Sequence, residues 1–149
     1  MAEDTVESQT RVPASTDQLV VVRDFIQATL QKTQMPERDA RAVVLAVDEA
    51  IANTIEHGYI EDNREGHIDI KVQSDESRFC VIITDMAKEY NPVSDPSAGD
   101  LDMGDHVSAG KKRGLGLFIM RKVMDEVKYS YREGTSNQLT LVKYIKAES

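Results

Sequence analysis

Around Asn63-Arg64-Glu65-Gly66 the hydrophobic period of this chain changes from helical to two, which divides it into a helical first part and a part that must build a sheet. On the N-terminal side, Leu19, Val22, Phe25, Ile26 and Leu30 recur at helical spacing. They predict a helix from about Thr16 to Thr33, entered through a capping-box pattern of Ser15 and Gln18. Met35-Pro36 breaks it, and a second helix runs from about Glu37 to His57. Val43, Val44, Val47, Ala50, Ile51 and Thr54 form its core stripe, and Gly58 follows as the expected C-terminal cap.

Past the change of period, His67-Ile68-Asp69-Ile70-Lys71-Val72 alternates as a half-buried strand does, and Arg78 to Thr84 is a more continuously apolar strand. Asp75-Glu76 supplies the turn, and so short a connection rules out a helical crossover, which makes the pair an antiparallel hairpin. A third helix is expected from Gly114 to about Asp125, with strands near Val127 to Arg132 and Gln138 to Ile145. A short edge strand is expected near Ser8 to Val12. The order predicts an α+β two-layer sandwich with helices on one face of a mainly antiparallel sheet. Residues 1–12 are read as a flexible N-terminus carrying that edge strand, and residues 13–146 as a single domain. Between about 86 and 113 the chain is polar, glycine-containing and without sustained period, and so long a loop inside a compact domain implies a lid or binding loop.

Composition narrows the classes of function. A chain of 149 residues with 40% hydrophobic and 30% charged residues can bury a core of its own. Its net charge of −8 argues against a nucleic-acid or anionic-membrane surface and is compatible with a basic protein partner. Cys80 is the sole cysteine, so no internal disulfide forms, and its place in Phe79-Cys80-Val81-Ile82-Ile83 suits a buried structural thiol. No apolar stretch reaches membrane-spanning length and the start is polar, so the expected location is cytoplasmic. The three histidines show no metal-ligand spacing.

Three segments carry candidate chemistry. In Asp48-Glu49-Ala50-Ile51-Ala52-Asn53, Glu49 and Asn53 stand four residues apart on one helix face, where they can present a base beside a metal ligand. Taken alone, the pair also fits a solvated helix face. Gly114-Leu115-Gly116-Leu117 is expected to open a helix, whose free amides and positive dipole end suit phosphate, and Lys111-Lys112-Arg113 just before it adds cations. An ordinary glycine-rich loop is the plain alternative. Asp85 ends an apolar strand, where an aspartate can equally be a turn former.

The order of these segments gives the chain a family resemblance. Asp48-Glu49-Ala50-Ile51-Ala52-Asn53-Thr54-Ile55-Glu56-His57-Gly58-Tyr59 resembles the N box of the anti-sigma serine/threonine kinases, a branch of the superfamily that includes histidine-kinase ATPase domains and gyrase B. Arg113-Gly114-Leu115-Gly116-Leu117-Phe118-Ile119-Met120 and Met124-Asp125-Glu126-Val127 resemble that branch's second glycine box and the strand after it, so the likeness runs from about Pro13 to Ile145. It implies the histidine-kinase-like ATPase (Bergerat) fold, ATP and Mg2+ as ligands, capture of a sigma factor or equivalent target, and phosphorylation of an anti-anti-sigma protein. It implies Glu49 as the catalytic base, Asn53 as nucleotide and metal ligand, and Asp85 as acceptor for the adenine amine. Backbone phosphate contacts fall to Gly114, Leu115, Gly116 and Leu117, side-chain contacts to Lys112 and Arg113, and lid hinges to Gly104 and Gly110. Asp48 and Glu56 either line the site or solvate the helix, and homodimerisation through the N-terminal edge strand is a family expectation.

One box departs from the pattern. The superfamily's Asp-x-Gly-x-Gly reads Asp85-Met86-Ala87-Lys88-Glu89, followed by Tyr90-Asn91-Pro92 as in the anti-sigma branch. Ala87, at the nucleotide-binding position of the first glycine, is strained if the backbone there needs a positive φ. A non-catalytic ATP-binding module that sequesters a regulatory partner is the second reading.

Overall fold

A computed structural model describes residues 5–60, 63–89, 112–132 and 136–146, with the backbone alone for 112–117. Strand β1 spans Val6–Pro13, and a 3-10 turn, Thr16–Gln18, leads into α1, Leu19–Leu30. Helix α2, Glu37–Ile55, runs on into a π-helical turn, Glu56–Ile60. Strands β2, His67–Ser74, and β3, Arg78–Asp85, form the hairpin. Helix α3, Lys112–Val123, precedes β4, Glu126–Arg132, and β5, Ser136–Tyr144. The sheet order is β1-β2-β3-β5-β4, and each neighbouring pair is antiparallel, with β1 at one edge.

Register gathers most of the apolar strand side chains on one face. Val12 sits across from Ile68, Ile83 from both Ile70 and Leu139, and Val81 from both Val72 and Leu141. All are buried in one core with Val22 and Ile26 of α1 and Val43, Val47 and Ile51 of α2. Because successive strand residues alternate faces, the other side carries the charged and polar side chains, with Cys80, Ile82 and Val142 as an apolar patch at its centre. There Arg11 Nε reaches Asp69 Oδ1 at 2.7 Å, and Glu7 takes Gln73 Nε2 at 3.0 Å and Lys71 Nζ at 3.5 Å. Cys80 is buried, and burial raises its thiol above the usual range. Helix α2 packs against both α1 and α3. Among the described residues, no helix is long and apolar enough to cross a membrane.

Several expected helix ends differ from those observed. The Ser15 hydroxyl bonds Asp17 and caps nothing, while the Gln18 amide closes a tight turn on the Ser15 carbonyl at 2.9 Å. Regular α-helix stops at Leu30, where the Thr33 amide and hydroxyl both return to the Leu30 carbonyl, at 3.0 and 2.7 Å. Gly58 is no left-handed cap. It lies inside the π turn, and among the described non-glycine residues the one positive φ belongs to Asn63, at 49°.

The π turn buries the Tyr59 ring, 2% exposed, under the sheet's end. Its hydroxyl donates to the His67 carbonyl at 3.4 Å and accepts the Met86 amide at 3.3 Å, joining the end of α2 to the start of β2 and the exit of β3. Gly66 lies against that ring so closely that a Cβ there would come within 2.6 Å of Tyr59 Cε1. Gly66→Ala is thus expected to destabilise the protein by about 1–3 kcal/mol, read as a lower urea midpoint with an unchanged m value.

Candidate functional site

A narrow cleft enclosing about 20 Å³ opens where the end of α2 meets the ends of β3 and β5, with Thr54, Gly58, Asp85, Ala87, Tyr129 and Asn137 among its lining residues. The β3–β5 register sets Asp85 directly across from Asn137. Asp85 is 6% exposed, and Oδ1 accepts the Ala87 amide at 2.9 Å and Asn137 Nδ2 at 3.1 Å. Burial pushes this carboxyl above the ordinary aspartate value, and the two donors pull against that shift.

Asn137 does more than meet Asp85. Its amide also lies 3.0 Å from the Ala87 carbonyl and 2.9 Å from the Lys88 carbonyl, and its Oδ1 accepts the Tyr129 hydroxyl. Neither Asn137 nor Tyr129 was a site candidate on sequence. The signal was present in the alternation Asn137-x-Leu139-x-Leu141, which puts a polar side chain on the inward face of a strand and so requires buried partners for it.

Ala87 lies outside the left-handed region, so the strain expected of an alanine in the first glycine box does not arise. Its methyl is accommodated from the other side of the cleft. A Cβ at Gly58 would stand 2.9 Å from Ala87 Cβ, closer than two such carbons approach in practice. What the sequence offers as a helix cap is a steric allowance for Ala87.

On α2, Glu49 is half-buried. Burial first, and the neighbouring Asp48 charge second, raise its carboxyl above the ordinary glutamate value. Asp48 itself turns toward α1, where both its oxygens lie 3.2 Å from Arg23 NH2. One turn beyond Glu49, Asn53 is 7% exposed, and its Oδ1 is buried without a hydrogen-bond partner among the described residues. A buried acceptor oxygen left over in this way is what a cation ligand requires, so the site fits a hard divalent ion on this count.

Helix α3 begins at Lys112, two residues before Gly114 where its start was expected. The orphan amides of a helix belong to its first turn, here Lys112 to Leu115 at most. Gly116 and Leu117 fall in the hydrogen-bonded body, which weakens their amides as phosphate donors. Because α3 packs on α2, the glycine segment and the Glu49–Asn53 helix share one side of the molecule. His57 is buried within the π turn and His67 begins β2. Lys111, Gly104, Gly110, His106 and Tyr90-Asn91-Pro92 lie outside the described residues, as does most of the expected lid.

The profile of the histidine kinase-like ATPase domain matches residues 12–143. The chain belongs to this family. Within it, "Serine-protein kinase RsbW" sequences from Staphylococcus aureus are 29% identical over 147 residues, covering 98% of this chain and 90% of theirs. A chain of the SiaB–SiaC complex from Pseudomonas aeruginosa superposes with a TM-score of 0.67 at 17% identity, over 95% of this chain and 90% of that one. The RsbU and RsbW domains of a Mycobacterium tuberculosis protein superpose at 0.62 and 16%, over 95% of this chain and 33% of the other. At those identities the structures speak for the fold. This member of the histidine kinase-like ATPase family is RsbW-like in sequence along nearly its whole length.

The Gly58–Ala87 contact makes a coupled prediction. Gly58→Ala is expected to cost about 1–3 kcal/mol in urea unfolding, and Ala87→Gly in the same chain to recover most of the loss. A double-mutant cycle measures the coupling.

Proposed function

We propose that this chain is an ATP-dependent protein serine/threonine kinase that acts as an anti-sigma, partner-switching regulator. It would hold a sigma factor or equivalent regulatory target and phosphorylate an anti-anti-sigma antagonist. The observation that carries the reading is the pairing on one face of α2 of a carboxylate with raised proton affinity, Glu49, and a buried oxygen without a protein partner, Asn53 Oδ1. The relatives named serine-protein kinase support the same reaction class.

In this reading Asp85 takes the adenine amine, and the first-turn amides of α3 take the phosphates, with Lys112, Arg113 and Gly114 in that turn. Asn53 Oδ1 would ligate Mg2+, which when bound neutralises charge on the phosphate oxygens. Glu49 accepts the proton of the substrate hydroxyl as that oxygen bonds to the γ-phosphorus, and the bond from phosphorus to the β-phosphate oxygen breaks to release ADP. A carboxyl held above the ordinary glutamate value is a stronger base for this step than an exposed one.

Transfer of label from radiolabelled ATP to a serine or threonine of a small anti-anti-sigma protein tests the proposal directly. Glu49→Gln is expected to lower transfer by about 10²- to 10⁴-fold while ATP affinity, measured by calorimetry, changes little. Transfer that survives this substitution would remove Glu49 from the role of base. If wild type binds ATP and its partner but moves no phosphate, the non-catalytic binding module is the correct reading. Asn53→Ala should instead raise the magnesium concentration needed for half-maximal ATP binding.

The pH profile supplies a further check. Glu49 works ionised, so activity is lost as pH falls through its pKa, and the acid limb should lie above the ordinary glutamate value. Asp48→Asn removes one cause of the elevation and should move the limb of kcat/KM to lower pH.

A further inference from the structure

Resting on the nucleotide reading above, the arrangement around Asp85 yields a more specific assignment. A carboxylate offers two oxygens and several lone pairs. Among the described residues, both donors that reach Asp85 meet the same oxygen: the Ala87 amide at 2.9 Å and Asn137 Nδ2 at 3.1 Å both end on Oδ1. Oδ2 keeps its acceptor capacity in a cleft that Asp85 itself lines.

The direction of the Asn137 amide is fixed from both ends. Its Oδ1 takes the Tyr129 hydroxyl. Its NH2 group faces three acceptors, Asp85 Oδ1 and the carbonyls of Ala87 and Lys88 at 3.0 and 2.9 Å. A flipped amide would set its oxygen against those three acceptors and its nitrogen against a hydroxyl that had been donating. Buried at 6% exposure, Asn137 has little water to soften that arrangement, so one orientation is strongly preferred.

We infer that Asn137, locked by Tyr129, is the positioning residue that occupies Asp85 Oδ1 and leaves Oδ2 as a single oriented acceptor, and that this pair sets the preference for a purine bearing an exocyclic amine over one bearing a carbonyl or hydrogen there. An amine donates to Oδ2. The carbonyl of an oxopurine brings a second acceptor against a carboxylate, and an unsubstituted ring leaves Oδ2 unmet. Sites built to bond a donor discriminate sharply against analogues that lack it, because the buried partner is then left unpaired. The same amide holds the Ala87 and Lys88 carbonyls, so it fixes the carboxylate and the backbone leaving β3 in a single contact set.

The test compares ATP, GTP and purine riboside triphosphate, which lacks the amine, by calorimetry on the full chain. Wild type is expected to prefer ATP over purine riboside triphosphate by about tenfold or more. Asn137→Leu, which keeps side-chain volume without hydrogen bonding, should bring that ratio within about threefold of unity, with the loss falling on ATP. Tyr129→Phe keeps the ring, frees the amide to flip, and should give an intermediate ratio. It also decides the matter if Asn137→Leu shows no cooperative melt.

A purely structural role would lower the melting temperature and weaken both nucleotides alike. An unchanged ratio in the folded variants therefore overturns the inference. Wild type that binds ATP without preferring it also overturns this inference, while sparing the nucleotide reading. Wild type that binds neither nucleotide removes that reading and the inference together.

Discussion

A carboxylate buried at the end of a central strand is tolerable only where donors meet it, and here the pairing register of β3 with β5 decides that they do. Asp85 and Asn137 face each other because Ile83 faces Leu139 and Val81 faces Leu141. The same alternation that fills the core delivers the amide to the carboxylate. A slip of one residue would turn every one of these side chains to the opposite face of the sheet. Apolar burial of the aliphatic pairs therefore enforces a polar contact whose own net contribution is small, and whose absence would leave a charge desolvated without compensation.

Helix α2 and its π turn organise the other wall of the cleft. One continuous stretch carries Glu49, Asn53, Gly58 and Tyr59, so their relative positions are set by helix geometry and by packing between α1 and α3. The helix is anchored along its length, through Arg23 and Asp48 on the α1 side and through the Tyr59 hydroxyl to β2 and the exit of β3. Such anchoring fixes the backbone from which Glu49 and Asn53 project.

The element plan was legible in the sequence because it rests on periodicity. Alternation at Ile68, Ile70 and Val72 and the stripe from Val43 to Thr54 leave few alternatives, and the structure has helices and strands in the expected order. Ends were less legible, since they depend on single hydrogen bonds that compete locally. Ser15 found Asp17 before it found an amide, and the widened turn at Glu56–Ile60 has no periodic signature. Of the candidate site residues, Glu49, Asn53 and Asp85 could be named from motif spacing. For Asn137 the strand alternation marks only an inward polar side chain, and its partner Asp85 comes from a pairing fifty-two residues away along the chain. Ala87 looked like a defect while it was read within its own box, since its accommodation comes from a glycine on another element.

That accommodation makes positions 58 and 87 epistatic. With 2.9 Å between the two carbons that alanines at both would carry, only one of the two positions can hold a methyl without displacement of the backbone around it. The box that lost its first glycine is tolerated here because the preceding box supplies one. The separation between the two backbones leaves room for one methyl, and in this chain Ala87 supplies it.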